Sequence, residues 1–143
     1  MSTRFSPKPK KNRPISFPTI STHTLNIDVA EITTIVDTRV ELPCNITPRA
    51  ADDSVQLVLW YKTVNATGPP IYSIDLRSSP PAQLASDAYV GRASFNTSTT
   101  PTAILAIDRI RINDTGWFSC RVDYKWSRTT LFNILLHVNG EFV

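Results

Sequence analysis

The sequence contains no apolar run approaching 18 residues, which excludes a membrane-spanning helix. Its first 24 residues also lack the apolar stretch of about 7–15 residues that a secretory leader needs, so a secreted form is expected to carry its leader upstream. Glycine is scarce, with four residues, and offers no phosphate-cradling loop. The two histidines, His23 and His137, have no nucleophile or second ligand at an interpretable spacing. Two cysteines alone fall short of the close pairs that a zinc site requires. The one adjacent acidic pair, Asp52 and Asp53, reads as a solvated turn, because calcium needs six or more oxygen ligands. An enzyme is therefore not expected, and no cofactor, metal or small-molecule substrate is implied.

Acidic residues are missing from the first 13 positions, where Arg4, Lys8, Lys10, Lys11 and Arg13 concentrate five positive charges. The formal net charge is +3, so the remainder is slightly acidic, with basic and acidic residues interspersed. A folded basic surface for nucleic acid is unsupported. Residues 1–26 are Pro-rich and poor in apolar side chains, and are expected to form a disordered basic tail.

The rest of the chain is different in kind. From Ile27 the apolar residues recur with the period of strands, in runs rich in Val, Ile, Thr and aromatics: AEITTIV, TRVELPCNI, SVQLVLWYK, PIYSID, RASF, AILAIDRIRI, GWFSCRVDY and TLFNILLHV. Turn signals such as TPRAADD, NATGPP, RSSPP and NTSTTPT separate them. Eight or nine short strands predict an all-β, two-sheet sandwich over residues 27–139, with 140–143 beginning a linker to a following domain. Cys44 and Cys120 sit in strand-like runs with apolar residues at alternate positions, so both point inward. A buried disulfide is favoured over free core thiols; it would stabilise the fold by about 4 kcal/mol and place the chain in an oxidising, extracellular compartment.

Trp60 follows Cys44 by 16 residues, and Asp114-Thr115-Gly116-Trp117-Phe118-Ser119-Cys120 leads into the second cysteine. This pattern resembles an immunoglobulin domain, in which the tryptophan packs on an inter-sheet disulfide. Leu105, Ile107 and Ile110 precede Asp114 at the offsets of that family. The 31 residues between Trp60 and Arg92 leave room for the extra strands of a variable-type (V-set) Greek-key sandwich. The resemblance implies core positions for Trp60, Leu105, Ile107 and Phe118, and an ion pair between Arg92 and Asp114 at the lower edge. Phe118 stands where the family usually has its corner tyrosine, so the hydroxyl bond of that corner is not made. More narrowly, LPCNITP, DDSVQLVLWYK, PIYSIDLR, GRASF and CRVDYK look like the first immunoglobulin domain of the Sidestep family of arthropod cell-surface proteins. That likeness runs from about Ala30 to Val138 and implies a membrane-anchored, multi-domain parent recognised by Beaten path-like receptors in axon guidance.

If Cys44, Trp60 and Cys120 face the core, strand parity sends Leu57, Leu59 and Tyr61 outward, together with Arg121, Asp123 and Leu135. An antiparallel sheet that is apolar on its outer side invites a partner, although shielding by the same chain is the competing explanation. Trp126, in the loop between the last two strands, is the expected single anchor. Four sequons, at Asn45, Asn65, Asn96 and Asn113, agree with a secreted surface domain, and all are expected to lie off the apolar face. Asn65 and Asn96, in turn-like sequence, are the better acceptors. The function expected is extracellular recognition or adhesion, through the sheet face, of another immunoglobulin-type cell-surface protein; a soluble decoy or immune effector is the alternative.

Overall fold

The computed structural model describes residues 27–96 and 102–140. The expected basic tail lies outside them, as do Thr97 and Ser98 of the Asn96 sequon.

Nine strands are present among the described residues: β1 (Ile27–Ile35), β2 (Val40–Asn45), β3 (Val55–Tyr61), β4 (Tyr72–Asp75), β5 (Ala82–Ala85), β6 (Ala93–Asn96), β7 (Thr102–Ile107), β8 (Gly116–Tyr124) and β9 (Thr130–Asn139). They form a six-stranded sheet in the order β1-β9-β8-β3-β4-β5 and a three-stranded sheet in the order β2-β7-β6. β1 runs parallel to β9, and the other pairs are antiparallel. The result is the two-sheet Greek-key sandwich expected from the sequence, with one inter-sheet disulfide.

Alternation builds the core. Val40, Leu42 and Cys44 of β2, Leu105 and Ile107 of β7, Val58 and Trp60 of β3, Phe118, Cys120 and Val122 of β8, and Ile134 and Leu136 of β9 are all buried. Every second residue of these strands meets the opposite sheet, as a pleat of period two requires. Cys44 and Cys120 are bonded across the layer with Cα atoms 6.3 Å apart. Trp60 is fully buried, is the cross-strand partner of Cys120, and meets Phe95 edge to face at 6.3 Å.

At the lower edge the Arg92 guanidinium is buried against Asp114, with Nη1 3.1 Å from Oδ2 and Nη2 3.2 Å from Oδ1. The Tyr89 hydroxyl also donates to Asp114, at 3.0 Å, and the Arg111 amide does so at 2.7 Å. Burial alone would raise the Asp114 pKa, but these donors, Arg92 foremost, hold the carboxyl below the usual range. Phe118 takes over the corner by another contact: Lys62 Nζ lies 4.9 Å above its ring and donates to the Thr115 carbonyl. The strand entry also needs Gly116. Its φ is +131°, and a Cβ there would come within 3.1 Å of that same ammonium.

Two details depart from the apolar pattern. β5 has no counterpart among the sequence runs, because AQLA is short and mostly exposed at an edge. The run AILAIDRIRI is not one strand either: β7 ends at Ile107, and Ile112–Asp114 form a 3-10 turn around the buried carboxylate.

Candidate functional site

Three strands of the larger sheet, β3, β8 and β9, set the candidate face. Fixing Trp60 and Cys120 inward leaves the odd-numbered positions of each strand pointing out. Leu57 and Leu59 of β3, Trp117, Arg121 and Asp123 of β8, and Leu131 and Leu135 of β9 accordingly line the outer side, all half-buried. β1 extends the same surface through Val29, which is exposed, and through Glu31, whose carboxylate meets His137 Nε2 at 2.9 Å. Arg121 and Asp123 are brought together, with Nε and Oδ1 3.0 Å apart, and the Thr129 hydroxyl donates to the same carboxylate oxygen at 2.7 Å. Their charges are thus largely answered within the face.

Tyr61 must be corrected. Strand parity predicts it outward and accessible as an apolar anchor, yet it is only 5% exposed. The chain between β3 and β4 folds back over the lower part of the sheet, where the 3-10 turn Val64–Ala66 packs on β3, β8 and β9. Two outward polar residues hold it there. Asn133 Oδ1 accepts from the Asn65 amide at 3.0 Å while Asn133 Nδ2 donates to Asn65 Oδ1 at 2.9 Å; the Ser119 hydroxyl accepts from the Ala66 amide at 2.7 Å and donates to the Thr63 carbonyl at 2.8 Å. Ser119 is 0% and Asn133 4% exposed, although both point away from the core. Self-shielding therefore claims the lower part of the face, and the upper part remains open. The same turn corrects the expectation for Asn65: its sequon sits over the sheet face, not away from it.

Among the other sequons, Asn45 lies at the end of β2 with its Oδ1 accepting from the Thr47 amide, Asn96 closes β6, and Asn113 is exposed in the turn around Asp114.

Above the open part stands the turn joining β8 to β9. Trp126 at its tip is 68% exposed, with Lys125 Nζ 5.1 Å from its ring centre. The base of this turn rests on Asp53, which is buried and not part of a solvated turn. Its Oδ1 accepts from the amides of Ser54 at 2.9 Å and Trp126 at 2.8 Å; its Oδ2 accepts from the Ser127 amide at 2.9 Å and, through a short bond, from the Ser127 hydroxyl. Burial opposes its charge, but the Ser127 hydroxyl and the Trp126, Ser54 and Ser127 amides prevail and set its pKa at about 2. Sequence reasoning missed this residue because its partners at the tip lie more than 70 positions away. The only local signal was the aspartate-serine pair of the turn.

A cleft of about 430 Å³ opens over the disulfide, between the β2–β3 turn and the start of β9, with Thr47, Arg49, Tyr124 and Thr130 in its lining. Apart from the bonded cysteines its lining contains no histidine or acid, so it supplies neither a general base nor a metal-ligating set. Among the described residues no three His, Cys, Asp or Glu side chains are grouped to hold a metal, and no helix is long and apolar enough to cross a membrane.

Comparison with known proteins places the fold. A scan of protein-family models finds no match, and a comparison with curated proteins finds none either. Among solved structures, the chain is similar to the first Ig-like domain of human CD48 antigen (TM-score 0.64, 17% identity, covering 89% of this chain and 93% of that one). It is also similar to murine CRIg (TM-score 0.60, 15% identity, 78% and 92%) and to murine CEACAM1b (TM-score 0.61, 20% identity, 78% and 51%). The strand order, the bonded Cys44 and Cys120 beside Trp60, and these neighbours together show that the chain has the immunoglobulin-like fold of the variable type.

Proposed function

We propose that this domain is an extracellular recognition module that binds another cell-surface protein through the upper part of its β9-β8-β3 face and the β8–β9 turn. The observation that carries the reading is the coincidence of half-buried Leu57, Leu59 and Leu131 on an outward sheet face with a 68% exposed Trp126 at its edge. Leu135, expected as a further anchor, pairs with Trp117 below the covered Ser119 and Asn133 row and lies outside this patch. A large aromatic beside an apolar patch is the usual composition of an interface hot spot. Arg121 and Asp123, already paired, supply the polar rim that fixes register. The disulfide supports an oxidising, extracellular location. One of the structural neighbours comes from a study of multimeric cell-adhesive interactions of sodium-channel β subunits, which is consistent with a protein partner.

The motifs shared with the Sidestep family favour an immunoglobulin-superfamily partner of the Beaten path type, a membrane-anchored parent and a role in axon guidance. No catalytic role is assigned. The test is a binding screen of the glycosylated, multimerised domain against a panel of immunoglobulin-type ectodomains, followed by Leu59→Glu and Trp126→Ala. Each substitution is expected to weaken binding by about 2 kcal/mol while leaving the fold intact. Retained binding in both variants, with loss on substituting the opposite β2-β7-β6 sheet, would place the site elsewhere.

A further inference from the structure

We propose that Asp53 is the positioning residue of the recognition tip: its buried carboxylate holds the β8–β9 turn in one conformation, so that Trp126 meets a partner already ordered. The inference rests on the reading of the sheet face and its tip as the binding surface. A carboxylate accepts hydrogen bonds and donates none, and each oxygen here is met by two donors. Three of the four donors belong to Trp126 and Ser127, the tip itself. A further bond runs between the same two turns, from the Lys125 amide to the Ser54 carbonyl at 2.9 Å. Four bonds thus tie consecutive residues 125–127 to residues 53 and 54 across the top of the sandwich.

The arrangement leaves the indole outside. Trp126 gives its amide to Asp53 and keeps its ring in solvent, where Lys125 covers one side. A turn held only by its own residues would lose conformational freedom when a partner docks, and that loss subtracts from affinity; a turn already fixed avoids most of it. Charge-assisted bonds to a buried carboxylate suit this purpose, being shorter and stronger than neutral ones. A cation site is a poor alternative for Asp53, because a metal would have to displace all four donors.

The test uses the secreted chain with Asp53→Ala, Asp53→Asn and Trp126→Ala. Hydrogen exchange at the Trp126 and Ser127 amides should accelerate about ten-fold or more in Asp53→Ala, while the β3 and β8 core amides keep their protection. Asp53→Asn should recover part of that protection, because its remaining carbonyl oxygen still accepts from the backbone amides. Binding to the ectodomain panel should fall about ten-fold in Asp53→Ala, with most of the change in association rate, and recover in step with loop order in Asp53→Asn. Wild-type exchange at the tip in Asp53→Ala would overturn the proposal, as would equal acceleration throughout the core, which would make Asp53 a folding residue. Lost binding with an ordered tip would make it a contact residue instead. Unchanged binding in Trp126→Ala, with the tip loosened in Asp53→Ala, would sink the reading of the face while the clamp itself stood.

Discussion

At the scale of single residues, environment decides more than type. Arg92 and Asp114 are both buried, and removing one partner leaves the other as an uncompensated charge, so Asp114→Asn is expected to cost about 3–5 kcal/mol in urea denaturation. The pair also sets a pH dependence. Because the Asp114 pKa is depressed in the folded state, its contribution is complete above the unfolded carboxyl value of about 3.9 and fades as pH falls through the lower folded one. Denaturation of Asp114→Asn across pH should therefore show a shallower acid slope than the wild type. A residual slope is expected from Asp75, held at about 2 by the Arg77 guanidinium, and from Asp53, held at about 2 by its donors against burial. Tyr61 carries the opposite lesson about parity. It points outward yet is covered, so Tyr61→Glu should destabilise the domain by roughly 3 kcal/mol and report on folding, not binding.

At the scale of elements, the turn between β3 and β4 divides the sheet face. It adopts left-handed backbone at two successive non-glycine residues, Asn65 with φ of 59° and Ala66 with φ of 54°. Asparagine tolerates that region; alanine does so at a cost. Ala66→Gly should relieve it and raise stability by about 0.5–1 kcal/mol, readable as a higher denaturation midpoint; a lower midpoint would show that the strain is fully offset by the Ser119 bond. A glycan on Asn65 would attach through Nδ2, leaving Oδ1 to accept from Asn133 as it does now. Expressed in a glycosylating host, Thr67→Ala should lose one glycan mass step on a gel while Asn65 keeps its place. Binding should stay within about two-fold of wild type if the footprint is confined to the upper face, and a larger change would draw the glycan into it.

At the scale of the whole molecule, a single covalent link joins the two sheets. Cys44 and Cys120 are separated by 76 residues, so replacing both by alanine should cost about 4 kcal/mol on the chain-entropy account, measured against the wild type under non-reducing conditions. The inward set was legible beforehand because a pleated strand exposes alternate residues to one side, and Cys44, Trp60, Phe118 and Cys120 then leave no freedom for their neighbours. The Arg92 and Asp114 contact was implied only by resemblance, since no local pattern joins residues 22 positions apart. The outer face was half legible: parity predicted which residues point outward, but exposure depends on what else covers them. Whether Tyr61, Ser119 and Asn133 meet water was decided by the fold-back of residues 62–71, and whether Asp53 is a solvated acid or a clamp was decided by where the β8–β9 turn lands. Period and spacing along the chain thus determined the sheets and the core, because those follow from local backbone geometry. Tertiary packing alone decided which part of the outer face stays open and how its tip is held, because both rest on contacts between segments far apart in sequence.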